Sequence, residues 1–170
     1  MNFTCRSLYR QKELTALSRA LRKTVREKLH RSFQIYGWLS IVLGISVVLS
    51  TRHAWVRWLD GAVIIMMLVV FIWGDAINGF FARKMVPKGT EAVTLSFSPE
   101  GYTVDNGSSV TQWNYEQVLA LAETQEYIIL IQENKEGEIC EKAGLKGGTP
   151  EEFRRFLAER TQKEILYIGR

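Results

Sequence analysis

The stretch VVFIWGDAINGFFARK, residues 69–84, decides what kind of molecule this chain forms. It begins as an uncharged apolar helix, reaches Asp75, and ends at Arg83 and Lys84. Three interpretations are open at this point: the end of a membrane span, a functional carboxylate inside a span, or a core helix of a soluble protein. The sequence on either side of the stretch discriminates among them.

Two runs of the chain, residues 33–50 and 61–74, contain no charged residue. A helix that crosses a bilayer needs about 20 mainly apolar residues. The first run nearly reaches this length and is extended by Thr51, and the second reaches it if the helix continues from about Leu59 through Asp75 to Ala82. The sequence therefore predicts a transmembrane helical hairpin over residues 33–84, with spans at about 33–51 and 59–82.

The distribution of charge predicts the orientation of this hairpin. Residues 1–36 hold nine Lys/Arg against two Glu, a net charge of +7, whereas residues 85–170 hold nine Lys/Arg against fourteen Asp/Glu, a net charge of −5. Basic residues accumulate on the cytoplasmic side of a membrane. We therefore expect a multi-pass protein of the cytoplasmic membrane with both termini in the cytoplasm, beside an anionic inner leaflet. The acidic C-terminal half lacks the basic patch of a nucleic-acid module.

The first 32 residues are predicted to form a short strand and an amphipathic basic helix. Apolar residues recur at spacings of three and four from Leu14 to Leu29, which places them on one helical face. The candidate contacts to lipid headgroups are basic residues of this helix and of the end of the second span: Arg19, Arg22, Lys23, Arg26, Arg83 and Lys84. We also hypothesise that MNFTCRSLY, residues 1–9, returns to the edge of the C-terminal sheet and places helix 11–31 beside it.

Asp75 is the charged residue that needs an explanation within the second span. It precedes Arg83 by eight residues, or about 12 Å along a helix, which places it near the inner headgroup boundary. Asn78 follows one turn later on the same face. In an antiparallel hairpin we expect Ser40 at the matching depth, with Tyr36 one turn nearer the cytoplasm.

A carboxylate without a second charged partner inside the membrane is more typical of a structural contact than of a transport pathway. We therefore interpret Asp75 as an intramembrane polar pin between the two helices. Gly74 and Gly79 would permit the close helix approach that such a pin requires. The alternative is a proton- or ion-linked site.

After residue 89 the pattern changes from helical to alternating. Val93, Leu95 and Phe97 face one side of a predicted strand, and residues 128–131 form a continuous apolar run typical of a strand buried on both sides or under a helix. Turn signals separate five to seven short strands. The sequence predicts an α+β membrane protein whose residues 90–162 form a small pleckstrin-homology-like barrel or sandwich.

The end of this domain is predicted to be a helix whose first residue is marked by N-terminal capping signals. Thr149 is the expected N-cap, Pro150 occupies the first helical position, and Glu152 completes a capping box. Residues 163–170 are assigned to a tail.

The potentially reactive residues form no predicted site. Cys5 and Cys140 lie far apart without CxxC spacing, so we expect free cysteines in a reducing compartment. His30 and His53 are expected on opposite sides of the membrane, which excludes a shared metal site. The sequence therefore predicts no catalytic residue, no metal and no cofactor.

The stretches SFSPEGYTV, TQWNYEQVLALAETQEYIILI and GEICEKAGLKGGTPEEFRRFLAER resemble the C-terminal domain of the YcxB-like family of bacterial membrane proteins. The resemblance covers about residues 91–160 and is carried by Phe97, Gly101, Trp113, Val118, Tyr127, Leu130, Lys142, Phe153 and Leu157. It implies a cytoplasmic pleckstrin-homology-like module on a membrane hairpin. It implies no activity, because the function of the family is unknown.

Two functions are compatible with these features. The first is a membrane-anchored interaction or regulatory module without catalysis, whose partner is a protein or a second copy of the chain. The second is a subunit of an oligomeric transporter, or a small membrane enzyme, that uses Asp75.

Overall fold

The computed structural model describes residues 2–25, 27–85, 92–134 and 136–169 of the 170-residue chain. Four helices lie among these residues: α1 Gln11–Lys23, α2 Glu27–Ser50, α3 Ala54–Met85 and α4 Pro150–Thr161. The nine strands are β1 Phe3–Leu8, β2 Ala92–Phe97, β3 Tyr102–Asp105, β4 Val110–Trp113, β5 Val118–Glu123, β6 Tyr127–Gln132, β7 Gly137–Glu141, β8 Leu145–Lys146 and β9 Ile165–Tyr167.

The strands form two sheets, and the N-terminal strand lies inside one of them. The first sheet has the order β4-β3-β2-β1-β8, and the second has the order β7-β6-β5-β9. Strand β1 pairs antiparallel with β2, with Cys5 opposite Leu95, and with β8 on its other side. The N-terminal segment therefore joins the sheet as hypothesised, although it occupies an interior position and not an edge. Helices α1, α2 and α3 are inserted between two neighbouring strands of one sheet.

The two sheets do not close into a barrel, and the barrel expectation is corrected to two facing sheets. Their inner faces enclose an apolar core that includes Phe3, Leu95, Leu121 and Leu130. Among the described strands, no pairing joins the edge of one sheet to the edge of the other. Strands β1 to β9 and helix α4 together form one unit, the two-sheet domain.

Helix α4 packs onto this core as its sequence predicts. The hydroxyl of Thr149 accepts a hydrogen bond from the backbone N–H of Glu152, whose carboxylate accepts one from the backbone N–H of Thr149. This capping box starts the helix at Pro150. Phe153 and Leu157 then enter the core between the sheets, where Phe153 contacts the rings of Phe3 and Phe97.

The segment assigned to a tail contains the last strand. Strand β9 pairs parallel with β5, with Leu121 opposite Ile165. The next residue, Ile168, is buried, and its backbone N–H donates to the carbonyl of Glu123. Residues 165–167 therefore belong to the second sheet, and Ile168 packs against it.

Helix α1 covers the outer face of the second sheet. Ala16 and Ala20 are buried against Ile129, Ile131 and Ile139, so every residue of β6 is buried. This is the arrangement that the continuous apolar run predicts. The helix ends at Lys23, and the amphipathic helix is therefore shorter than the predicted 11–31.

Helices α2 and α3 form an antiparallel hairpin joined by residues 51–53. Both are long and apolar enough to cross a membrane. Only 11% of the apolar stretch of α2 and 6% of that of α3 is buried in the protein. These helices are therefore not the core of a globular domain. Large apolar side chains such as Leu49 and Trp58 are more than three-quarters exposed.

The prediction that the two cysteines stay apart is wrong. Cys5 of β1 and Cys140 of β7 form a disulfide, with Cα atoms 5.7 Å apart, and both residues are fully buried. This Cα separation is usual for a disulfide. Spacing along the chain could not predict the pair because Cys5 and Cys140 are 135 residues apart and meet only when the two sheets face each other.

Candidate functional site

The structure places a two-point ion pair where α1 crosses α3. The Arg22 Nε donates to Asp75 Oδ1 at 2.9 Å, and Arg22 Nη2 donates to Asp75 Oδ2 at 2.5 Å. A planar guanidinium matches a carboxylate in this geometry, which fixes both side chains. Asp75 therefore has a charged partner, and the expectation that it lacks one is wrong.

A second arginine reinforces this pair. Arg19 lies one turn before Arg22 on α1, and its Nε is 3.8 Å from Asp75 Oδ2. The hydrogen bond to Asp75 raises the pKa of Arg22, so its guanidinium remains charged at every physiological pH. Arg19, Arg22 and Asp75 together carry a net charge of +1.

The contacts between α2 and α3 correct which residues of α2 lie beside Asp75. Gly37 lies against the ring of Phe71, and a Cβ built at Gly44 would be 3.3 Å from the side chain of Ile64. This register places Asp75 beside the first turns of α2 and not beside Ser40. The hydroxyl of Ser40 instead donates to the carbonyl of Tyr36. Ser40 therefore does not lie beside Asp75, where the prediction placed it.

Of the two glycines expected to permit close packing, one does so. A Cβ at Gly79 would lie 2.8 Å from the backbone nitrogen of Thr15, so α1 contacts the backbone of α3 at this point. A Cβ at Gly74 would meet nothing within 4 Å. The close contact made by Gly79 is with α1 and not with α2, the predicted partner of the second span.

A groove with a volume of about 540 Å³ adjoins the ion pair where α1, α2 and α3 meet. Asp75, Asn78 and Tyr36 line it, together with Arg22 and His30. The Arg22 Nη1 lies 3.4 Å from His30 Nε2. Three of the four residues predicted for the pin thus lie around one groove, and they share it with Arg22 and His30, which the sequence had not linked to them.

The candidate headgroup residues have different surroundings. Arg19 and Arg22 bind Asp75, and Lys23 Nζ donates to the carbonyl of Ile168 at 2.9 Å. Arg83 and Lys84 are located at the end of α3, where Lys84 is exposed and its Nζ lies 4.7 Å from the centre of the Phe80 ring. Arg26 lies outside the described residues.

A second polar contact joins the start of the chain to the second sheet. The Tyr9 hydroxyl donates to Glu138 Oε2. Burial raises the pKa of Tyr9 and also the pKa of Glu138, and the nearby Glu136 adds to both effects. The sequence offers no signal for this pair, because its members are 129 residues apart.

Arg22 and His30 are the site residues that sequence reasoning did not connect to Asp75. Arg22 is one of nine basic residues in the first 36 positions, and nothing local distinguishes it from the others. The presence of an acidic residue on an apolar helix is the available signal, since a partly buried carboxylate requires a cation or several hydrogen-bond donors.

A comparison of the chain with known protein families finds no family that matches, and a comparison with curated proteins finds no match either.

Proposed function

We propose that this protein is a membrane-anchored interaction module in which α2 and α3 cross the cytoplasmic membrane. The exposed apolar surface of both helices supports insertion, because a bilayer would cover it. The excess of Lys/Arg before the first span, together with Arg83 and Lys84 after the second, supports an orientation with both termini in the cytoplasm. The anionic inner leaflet then faces the basic ends of the hairpin.

One observation carries the proposal of a regulatory role: α1 is packed against both the two-sheet domain and the hairpin. One face of α1 buries Ala16 and Ala20 on the second sheet, and another face binds Asp75 and contacts Gly79 of α3. A change in how α3 packs can therefore reach the sheet through α1. Conversely, a partner bound to the domain would act on the hairpin. This coupling suits a module that responds to a protein partner or to a second copy of the chain.

The proposal includes a pleckstrin-homology-like fold for the two-sheet domain and a relationship of the chain to the YcxB-like family. Two facing sheets with a C-terminal helix across the core are compatible with a pleckstrin-homology-like origin. The resemblance to YcxB-like proteins would imply the same arrangement of hairpin and cytoplasmic domain. Catalysis and a cofactor form no part of the proposed function.

Transport through Asp75 is the less favoured function. A carboxylate that carries a proton or a cation must be free to exchange its partner, whereas Asp75 is bound by Arg22 at two points and approached by Arg19. The same ion pair explains the position of Asp75 as a structural contact.

The first experiment tests insertion and orientation. A reporter that is active only in the cytoplasm is fused after the last residue, and the membrane fraction is extracted with alkaline carbonate. We expect an active reporter and a chain that stays in the membrane pellet. A reporter located outside the cell, or a chain that is soluble and monomeric without detergent, would refute the proposal.

The second experiment tests coupling through α1. Affinity purification from mildly solubilised membranes compares the wild type with Gly79→Leu, which forces α1 away from α3, and with Gly74→Leu as a matched control in open space. We expect the same co-purifying protein with the wild type and the control, and a loss with Gly79→Leu while the monomer remains folded by circular dichroism. Equal recovery with all three chains would contradict a role for the coupling.

A further inference from the structure

The groove beside the Arg22–Asp75 pair has a polar side formed by four side chains from three helices. Ser18 of α1, Ser32 and Tyr36 of α2, and Asn78 of α3 line it. Ser32, Tyr36 and Asn78 are exposed and Ser18 is half-buried, and none of the four side chains makes a hydrogen bond to another described residue. Each of them carries an O–H or N–H donor. The groove therefore presents four donors from three helices to whatever occupies it.

Two other hydroxyls on α2 bond to the backbone of their own helix. Ser40 donates to the carbonyl of Tyr36, and Ser46 donates to the carbonyl of Val42. Serines that lie against lipid commonly satisfy themselves in this way, by bonding to the backbone four residues earlier.

The charge beside the groove matches a single negative charge. Arg22 faces Asp75 with two nitrogens and directs its third, Nη1, toward His30 on the groove wall. Arg19 is close to the same carboxylate, so the side chains of Arg19, Arg22 and Asp75 carry a net charge of +1. A phosphodiester carries one negative charge and accepts several hydrogen bonds, so it complements both the charge and the donors.

Apolar side chains form the remainder of the wall. Leu21 and Phe33 line the groove, and Phe33 is half exposed at the surface of the hairpin. Beyond them, the exposed apolar surface of α2 and α3 continues along the hairpin. A small soluble anion would gain nothing from these walls, whereas the acyl chains of a lipid would cover them.

We infer that the groove binds the phosphodiester group of an anionic phospholipid, with the donors around the phosphate and the acyl chains along the hairpin. This inference rests on the proposed membrane insertion and adds a specific ligand to it. Bound lipid would connect α1, α2 and α3 at the place where α1 couples the hairpin to the sheet. The coupling would then depend on the composition of the inner leaflet.

Native mass spectrometry of the full chain in mild detergent tests the inference. The probes are phosphatidylglycerol, diacylglycerol with the same acyl chains, and inorganic phosphate. We expect one retained phosphatidylglycerol per chain and no retention of diacylglycerol, because diacylglycerol lacks the phosphate. Displacement by millimolar inorganic phosphate would identify a free-anion site and overturn the inference.

Two multiple variants make the test specific. Ser18→Ala/Ser32→Ala/Asn78→Ala removes three donors and keeps the ion pair, whereas Ser40→Ala/Ser46→Ala removes two hydroxyls that already have partners. We expect the affinity for phosphatidylglycerol to fall at least tenfold in the first variant and to stay at the wild-type value in the second. Gel filtration confirms that both are folded.

The remaining outcomes separate this inference from the proposed function. Equal retention of diacylglycerol, or equal binding by the two variants, would overturn the inference while carbonate-resistant insertion leaves the proposed function standing. A lipid-free complex with the mass of two chains, abolished by the donor variant, would assign the groove to a second copy and would also overturn it. A chain that fails to insert refutes both.

Discussion

Arg22 of α1 holds Asp75 of α3 at two points, although 53 residues separate them in the sequence. The pair lies where the helix that covers the second sheet crosses the end of the hairpin. Both side chains are partly buried, with 33% and 16% of their surfaces exposed. The ion pair therefore connects α1 to the hairpin, two parts of the molecule that are far apart in the sequence.

A double-mutant cycle measures this connection. Because each partner leaves a charge behind when the other is removed, Asp75→Asn and Arg22→Gln should each lower the free energy of unfolding by about 1–3 kcal/mol, between the values for exposed and for buried pairs. The double variant should lose less than the sum of the two. Thermal unfolding in detergent provides the measurement. Lys12→Ala, which breaks the exposed pair with Glu126, is the control and should have little effect.

The contact between α1 and α3 at Gly79 gives a second prediction. Leucine at position 79 would collide with the backbone of Thr15, and we expect a loss of about 1–3 kcal/mol, typical of overpacking. Gly74→Leu, on the same helix and with open space around it, should be nearly neutral. Chemical denaturation of both variants in detergent tests this. A similar loss at both positions would show that helix propensity or insertion, and not the contact with Thr15, is responsible.

Strand β1 should be essential to the two-sheet domain because it is an interior strand. Phe3 is 1% exposed and contacts the rings of Phe153 and Phe156, so Phe3→Ala should cost about 3–5 kcal/mol. Thr4→Ala, on the opposite face of the same strand, should cost much less. Deletion of residues 2–9 should prevent folding of the domain, measured as a loss of its protection from proteolysis. Unchanged protection would contradict the pairing of β1 with β2.

Glu138 should make the stability of the domain depend on pH. Burial raises its pKa in the folded state above the usual value. Above that usual value the unfolded chain has released this proton while the folded chain still holds it, so the folded state binds more protons. Its contribution to stability is therefore complete in acid and is lost as pH rises through the folded pKa. Glu138→Gln should flatten this part of the stability profile in urea titrations, whereas Glu136→Gln, at an exposed position, should retain most of it.

The state of the two cysteines tests the orientation by an independent route. The structure has Cys5 and Cys140 as a disulfide, whereas the proposed cytoplasmic location would keep both as thiols in the cell. With that orientation, acid-trapped cells should yield chains whose Cys5 and Cys140 both react with a maleimide after denaturation. Mild oxidation of the purified protein should then close the intramolecular disulfide, since the Cα atoms are already 5.7 Å apart. The closed form should be more stable by on the order of 4 kcal/mol. A disulfide already complete in the acid-trapped cells would place the domain outside the cytoplasm.

Local patterns in the sequence were sufficient for the elements whose cause is local. The uncharged runs predict α2 and α3, the alternation of Val93, Leu95 and Phe97 predicts the buried face of β2, and the Thr149–Pro150 start predicts α4. Each follows from residues within one or two turns of each other, where helical and strand periods determine which side chains share a face. The same patterns singled out Asp75 as the charged residue of the second span that required an explanation.

Only the tertiary structure decided which partner that was and which strands became neighbours. Arg22 is the partner, among many basic residues, because α1 crosses α3 where it covers the second sheet. Strand β1 lies in the first sheet because the hairpin of α2 and α3 returns the chain to its side, where β2 pairs with it. The meeting of Cys5 and Cys140 has the same origin. Contacts of this kind depend on how separate apolar faces are buried against each other, and a one-dimensional pattern shows that a face must be buried without showing what buries it.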